Sequence, residues 1–249
     1  MIAFVETLRG HQNKTDSNLI VLKTCSCSLF IAHFVGIGKF NTHLAHRMTE
    51  AAHRYFIIHK PFDMVSQFVS PDDVNLLGDL DFNFPEGTHA IGRLDNHSEG
   101  LLILTTNKKV TRLLFQGLLP HKRTYILQVL NVVSEDSLQQ LRDGVNIRIS
   151  GGGYWVTSPC EADIINKPTT LFPVANELLE FIPHTWLRIT LTEGKFHQVR
   201  KMVQALRHKC RRLIRVSIEE LCLDDLAPGK VKEIEERQFF ELLRIADWE

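Results

Sequence analysis

The chain has no apolar run approaching the roughly 18 residues of a membrane span. Its longest candidate, Cys27 to Ile37, is interrupted by His33. The N-terminus is poor in basic residues and has no evident small-residue cleavage site, so it does not read as a secretory signal. Cysteine is scarce: five residues, an odd count at scattered spacings, which excludes a disulfide framework. Only Cys25 and Cys27 lie close, and a lone C-S-C without a second pair is weak support for a metal, so reduced thiols in a cytoplasmic protein are expected. Zinc spacing, a Gly-rich phosphate loop, internal repeats and low-complexity tracts are all missing. Net charge is missing too, a mild argument against a nucleic-acid partner.

What is present reverses that last argument. Between Gly194 and Arg215 stand eight Lys or Arg residues and no acid, and from Val216 to the end ten acids face four bases. The neutral total hides a concentrated basic segment, readable as a solvated helix face or as a phosphate-binding surface. At 249 residues and 44% hydrophobic, the chain can bury a core of one α/β-sized domain or two small ones.

Residues 1–47 hold few turn signals and no sustained periodicity, and Met48 follows directly. They are expected to be a poorly ordered extension, for which Met48 offers a start downstream, with a small folded module as the alternative. The catalytic unit is then 48–249. From His53 onward the pattern is regular. Arg54–His59, Leu101–Thr106, Thr124–Leu130, Thr185–Thr192 and Arg212–Ile218 read as strands. Asn107 suits a helix cap before 108–116. Ser134 caps a helix over 134–143 that Gly144 ends. Residues 145–149 and 154–157 flank a glycine turn and predict a hairpin. Phe196, Val199, Met202, Val203 and Leu206 form one helical stripe, expected to face the core. These elements predict an α+β domain built on a largely antiparallel, mixed central sheet with flanking helices.

The chemistry-bearing segment is Gly92-Arg93-Leu94-Asp95-Asn96-His97-Ser98-Glu99-Gly100, polar residues between glycines directly before an apolar strand. Asp95 and Glu99 fit a carboxylate pair for acid–base work, or loop residues that bond nearby amides.

G-R-L-D-x-x-S-E-G-L-L-I-L-T-x-N resembles the central motif of the ribosomal RNA pseudouridine synthases typified by RsuA. Lys60-Pro61, Arg123-Thr124-Tyr125, the stretch from Glu193 to Met202, and Leu213 to Val216 with Leu226 to Gly229 resemble the family's other motifs, in family order. No S4 module is recognisable in residues 1–50. The run from Lys60 to Phe68 is similar to the large-subunit (23S) branch without S4, the RluE type. The resemblance implies the pseudouridine synthase fold and isomerisation of a uridine to pseudouridine in ribosomal RNA of the large subunit, by a monomer that needs neither metal nor organic cofactor. It implies Asp95 as the catalytic carboxylate, Tyr125 as the active-site tyrosine and Arg200 as the cation beside the aspartate. Arg123 replaces the family's Lys, which changes its geometry, so no catalytic role is given to it. RNA contacts are expected from Arg93, Lys195, Lys201, Arg207, Lys209, Arg211 and Arg212. The bland readings remain a half-buried strand tyrosine for Tyr125 and a phosphate contact for Arg200. A catalytically idle RNA-binding or ribosome-assembly factor on the same fold would keep the basic segment without needing Asp95, Tyr125 and Arg200 together.

Overall fold

A computed structural model describes residues 52–248 apart from 118, 119 and 176. The expectation for residues 1–47 and the C-S-C pair fall outside the described residues.

The first strand, β1 (Tyr55–Lys60), and the third, β3 (Glu99–Thr105), are buried along their whole lengths. Their alternation sorts apolar side chains to two opposite layers. Tyr55, Ile57, Leu101 and Ile103 enter one core cluster, while Phe56, Ile58, Leu102 and Leu104 enter another. A strand covered on both faces reads as a continuous apolar run, as Y-F-I-I and L-L-I-L do. β2 (His89–Ile91) pairs with β3.

After β3, Asn107 caps the turn into α1 (Lys109–Phe115) by accepting from the Lys109 amide at 3.0 Å. Then come β4 (Arg123–Leu130) and α2 (Glu135–Asp143). Ser134 caps α2 by accepting from the Ser137 amide, and Gly144 ends it at φ 103°, where a Cβ would meet the Thr157 carbonyl at 2.3 Å. β5 (Asn146–Arg148) and β6 (Tyr154–Val156) form the separate hairpin. β7 (Glu161–Ile165), β8 (His184–Leu191), α3 (Gln198–Ala205), β9 (Cys210–Ile218), β10 (Leu221–Cys222), β11 (Val231–Ile234) and α4 (Glu236–Leu242) complete the chain.

The main sheet runs β11-β1-β3-β9-β4-β8-β7, with β2 and β10 alongside β3 and β9. Every pairing in it is antiparallel except β3 with β9, where Glu99 faces Ile214 and Gly100 faces Arg215. Helices α2 and α3 cover β4 and β8: Leu138, Leu141, Val199, Met202 and Val203 pack on Leu127, Val129, Leu187 and Ile189. Helix α4 presses Phe239 and Phe240 onto β1 and β3.

The parallel join positions the site. It sets the start of β3, and the loop that precedes it, against the middle of β9. Gly100 sits at φ 103°, and a Cβ there would lie 2.3 Å from the Arg215 carbonyl oxygen, so only glycine allows the strands to approach this closely. The join is also welded by charge. Arg212 of β9 forms a bidentate pair with Glu99 of β3 (3.0 Å at both contacts) and reaches Glu177 at 2.8 Å and the Phe172 carbonyl at 2.9 Å.

Two sequence expectations are corrected here. Arg212 is 1% exposed and committed to carboxylates, so it cannot meet a phosphate. Phe196 does not join the core stripe: His197 takes a left-handed φ of 55°, α3 begins only at Gln198, and Phe196 is left 64% exposed.

Candidate active site

Asp95 lies in the loop between β2 and β3, and the loop is tied down through Leu94, Asn96, His97 and Ser98. Ser66 Oγ donates to the Leu94 carbonyl at 2.9 Å and accepts from the Leu94 amide at 3.0 Å. The Lys60 ammonium donates to the carbonyls of Pro61, Met64 and Asn96. Arg200 Nη2 donates to the His97 carbonyl at 2.6 Å, and the Ser98 amide closes the turn onto the Asp95 carbonyl at 3.0 Å. A loop held at this many points presents its carboxylate without a reorganisation cost.

The Asp95 carboxylate faces an imidazole and a guanidinium from the α3 side. His197 Nε2 is 3.3 Å from Oδ1, and Arg200 Nε is 3.9 Å from Oδ2. Ser98 Oγ bridges them: it accepts from Arg200 Nη2 at 3.1 Å and donates to Asp95 Oδ2 at 3.5 Å. Arg200 therefore acts on Asp95 partly through its charge and partly by fixing the loop. The turn leading into α3 is itself fixed, because Gln198 accepts from the Lys195 amide at 2.8 Å and donates to Glu193 at 2.7 Å.

Asp95 opens on a cavity of about 730 Å³ whose walls include Arg93, Tyr125, Lys195 and His197. Tyr125 stands on β4, half-buried, between Arg215 of β9 and Ile189 of β8 in the sheet register. The structure thus brings Asp95, Tyr125, Arg93 and Lys195 to one cavity, with Arg200 behind the carboxylate. Glu99 is absent from the walls: it is 1% exposed and bound to Arg212, which overturns a paired-carboxylate site. The basic segment divides. Lys201 lies over the Phe196 ring at 5.3 Å, Arg207 and Lys209 border a separate depression with Arg200, Arg211 is exposed, and Arg212 is interior.

Four further basic residues stand at or beneath the site, none of which the sequence reading had given a role there. Arg123 and Arg215 both line the cavity. Arg123 stacks over Phe115 at 5.3 Å, and burial, partly opposed by Tyr125, lowers its pKa. Arg215 donates Nε to the Leu101 carbonyl at 2.8 Å, while its buried Nη2 has no partner. His197 beside Asp95 is the third, and its place three residues before Arg200 in the same motif was the available signal. The fourth is Lys60, fully buried beneath the loop.

Residues 54–205 match the profile of the RNA pseudouridylate synthase family. The chain belongs to that family. It is 36% identical over 186 residues to the ribosomal large subunit pseudouridine synthase E of Vibrio parahaemolyticus, covering 73% of this chain and 74% of the relative. It is 32% identical over 174 residues to the protein of the same name from Xanthomonas axonopodis pv. citri, covering 69% and 89%. A crystal structure of a pseudouridylate synthase superposes with a TM-score of 0.62 at 24% identity, over 78% of this chain and 75% of that one, which shows the pseudouridine synthase fold. As a pseudouridine synthase the chain is an isomerase: the N1–C1′ bond of uridine breaks, C5 joins C1′, C5 gives up a proton and N1 gains one. Among the described residues no group of three His, Cys, Asp or Glu side chains could hold a metal, and no helix is long and apolar enough to cross a membrane.

Lys60 makes one measurable demand on this scaffold. Burial lowers its pKa from 10.5 to about 8, against the pull of Glu99, Asp95 and Asp63. Between about pH 8 and 10.5 the unfolded chain holds a proton that the folded chain has released, so this residue's contribution to stability rises with pH there. Lys60→Met strands the carbonyls of Pro61, Met64 and Asn96 and should lower stability at pH 7.5 by about 1–3 kcal/mol. Urea unfolding at pH 7.5 and pH 10 should show the wild type gaining on the variant at the higher pH; a constant gap would contradict the assigned shift.

Proposed function

We propose that this chain converts a uridine of large-subunit ribosomal RNA to pseudouridine, with Asp95 as the catalytic carboxylate and no cofactor, and that residues 48–249 are the catalytic unit. The observation that carries this is the placement of Asp95: its carboxylate, contacted by His197, Ser98 and Arg200, opens on a cavity that also holds Tyr125. The relatives named for the large subunit support the choice of RNA.

The target nucleotide must leave its stack to reach the cavity, at a cost of a few kcal/mol that falls in irregular regions of RNA. Asp95 then attacks C1′ or takes the 2′ proton, in either case acting as a carboxylate, with the guanidinium of Arg200 3.9 Å from its Oδ2. Tyr125 offers an aromatic surface for the detached uracil, and its hydroxyl stands available for the C5 proton. The partnerless Nη2 of Arg215 supplies a donor beside the same cavity. Arg93 and Lys195 at the walls, with Lys201, Arg207, Lys209 and Arg211 outside, meet phosphates.

The direct assay uses a large-subunit RNA transcript carrying tritium at C5 of its uridines, since that hydrogen is lost only when C5 becomes the glycosidic atom. Tritium release from this transcript, and none from a small-subunit transcript, is expected; the reverse preference would move the substrate to the other subunit. Binding to the same RNA should weaken with salt. Replacing Lys209 and Arg211 by Gln should flatten the slope of log K against log salt by up to about two. Arg212 stays in place because it is interior. An unchanged slope would place the phosphate contacts elsewhere.

A further inference from the structure

A second concavity, of about 470 Å³, lies between β5 and α3. Its walls include Arg148, Ser150, Phe196, Lys201 and Gln204, and no carboxylate is among its lining residues. Phe196 lines this groove and the catalytic cavity alike, so the two adjoin at that residue. Phe196 is 64% exposed. It stacks on the His197 imidazole at 3.8 Å and 20°, and the Lys201 ammonium hangs over it at 5.3 Å. The same pairing recurs on the hairpin, where the Lys195 ammonium lies 4.1 Å from the Trp155 ring and Glu193 holds the indole N–H at 3.2 Å. Beside it, Tyr154 and Val156 are 71% and 65% exposed.

A flat aromatic ring shaded by a flexible ammonium group, in a groove whose lining residues include no carboxylate, matches a single-stranded nucleic acid. A base stacks on the ring, and the displaced lysine meets phosphate. The core of a protein–protein interface is depleted of lysine, whereas Lys201 lines this groove. We propose that the groove between β5 and α3 binds an unpaired nucleotide next to the target uridine, with Phe196 as its stacking surface and Lys201 and Arg148 as its phosphate contacts. The proposal rests on the RNA-modifying reading above. An RNA strand with one base inserted at Asp95 has to leave the cavity, and Phe196 forms the wall at which the cavity meets the groove. His197 stacks on Phe196 and pairs with Asp95, so an occupied groove is one residue removed from the carboxylate.

The test uses the full chain and a fluorescein-labelled ten-nucleotide oligouridylate, with binding followed by anisotropy at several salt concentrations. Phe196→Ala should weaken binding about five- to one-hundred-fold with the salt slope unchanged, since stacking releases no counterions. Phe196→Tyr should restore the affinity. Lys201→Gln and Arg148→Gln should each lower the slope by about one. All of these side chains are at or near the surface, and matching thermal melts verify that the variants fold. Wild-type affinity in Phe196→Ala, or equal loss in Phe196→Tyr, overturns the groove. So does a concentration-dependent dimer of the wild type that Phe196→Ala abolishes, which would assign the surface to a second copy. If the wild type isomerises ribosomal RNA yet does not bind the oligouridylate, the groove alone fails; if it does neither, the functional reading fails with it.

Discussion

Asp95→Asn is expected to lower isomerisation at least about a thousandfold, equivalent to about 4 kcal/mol of barrier. Asn keeps the size of the side chain and a partner for Ser98, but removes the charge that His197 and Arg200 face. The loop does not depend on that carboxylate: Leu94, Asn96 and His97 are held through their backbone by Ser66, Lys60 and Arg200. Folding and RNA affinity should therefore stay near wild type while tritium release from labelled RNA disappears. Activity within tenfold of wild type would remove Asp95 from the chemistry.

The largest effect on stability is expected at Arg212. It is interior, and Arg212→Met leaves the carboxylate of Glu99 buried and uncompensated, with Glu177 also losing its contact. Breaking a buried pair from one side costs about 3–5 kcal/mol, a large share of the roughly 5–15 kcal/mol that holds a domain together. Replacing both members, Arg212→Met with Glu99→Leu, should be milder than Arg212→Met alone because no stranded charge remains at the strand join. Urea unfolding of the three proteins measures this. Equal stability of Arg212→Met and wild type would mean that the pair does not hold β3 to β9.

These two residues mark how far the sequence could be read. Asp95 sits in a local signature, and its surroundings are mostly local too: the strand after it, the caps at Asn107, Ser134 and Gly144, and the hairpin with its glycine turn all follow from neighbours within a few residues. Arg212 looks like any other member of a basic run. Its partner Glu99 is 113 positions away, and nothing in the spacing says that the two will share one interior site. Phe196 was misassigned for a different reason. Its spacing fits the helical stripe, but the left-handed backbone of His197 starts the helix two residues later and turns the ring outward. Strand β7 was not anticipated because E-A-D-I-I shows little alternation and takes its structure from pairing with β8. Strand β11 and helix α4 were missed in an acid-rich tail whose two buried phenylalanines declare themselves only against β1 and β3. The walls of the cavity combine β4, β9, the loop before β3 and the turn before α3, so Arg123, Arg215 and His197 meet Asp95 only once the parallel join is made.

The most direct measurement is a map of pseudouridines in ribosomal RNA from cells with and without this gene, the latter also carrying either the wild-type or the Asp95→Asn sequence. The account predicts that a site in the large-subunit RNA reverts to uridine when the gene is lost, returns with the wild type, and stays uridine with Asp95→Asn. Identical maps in all four strains would contradict it.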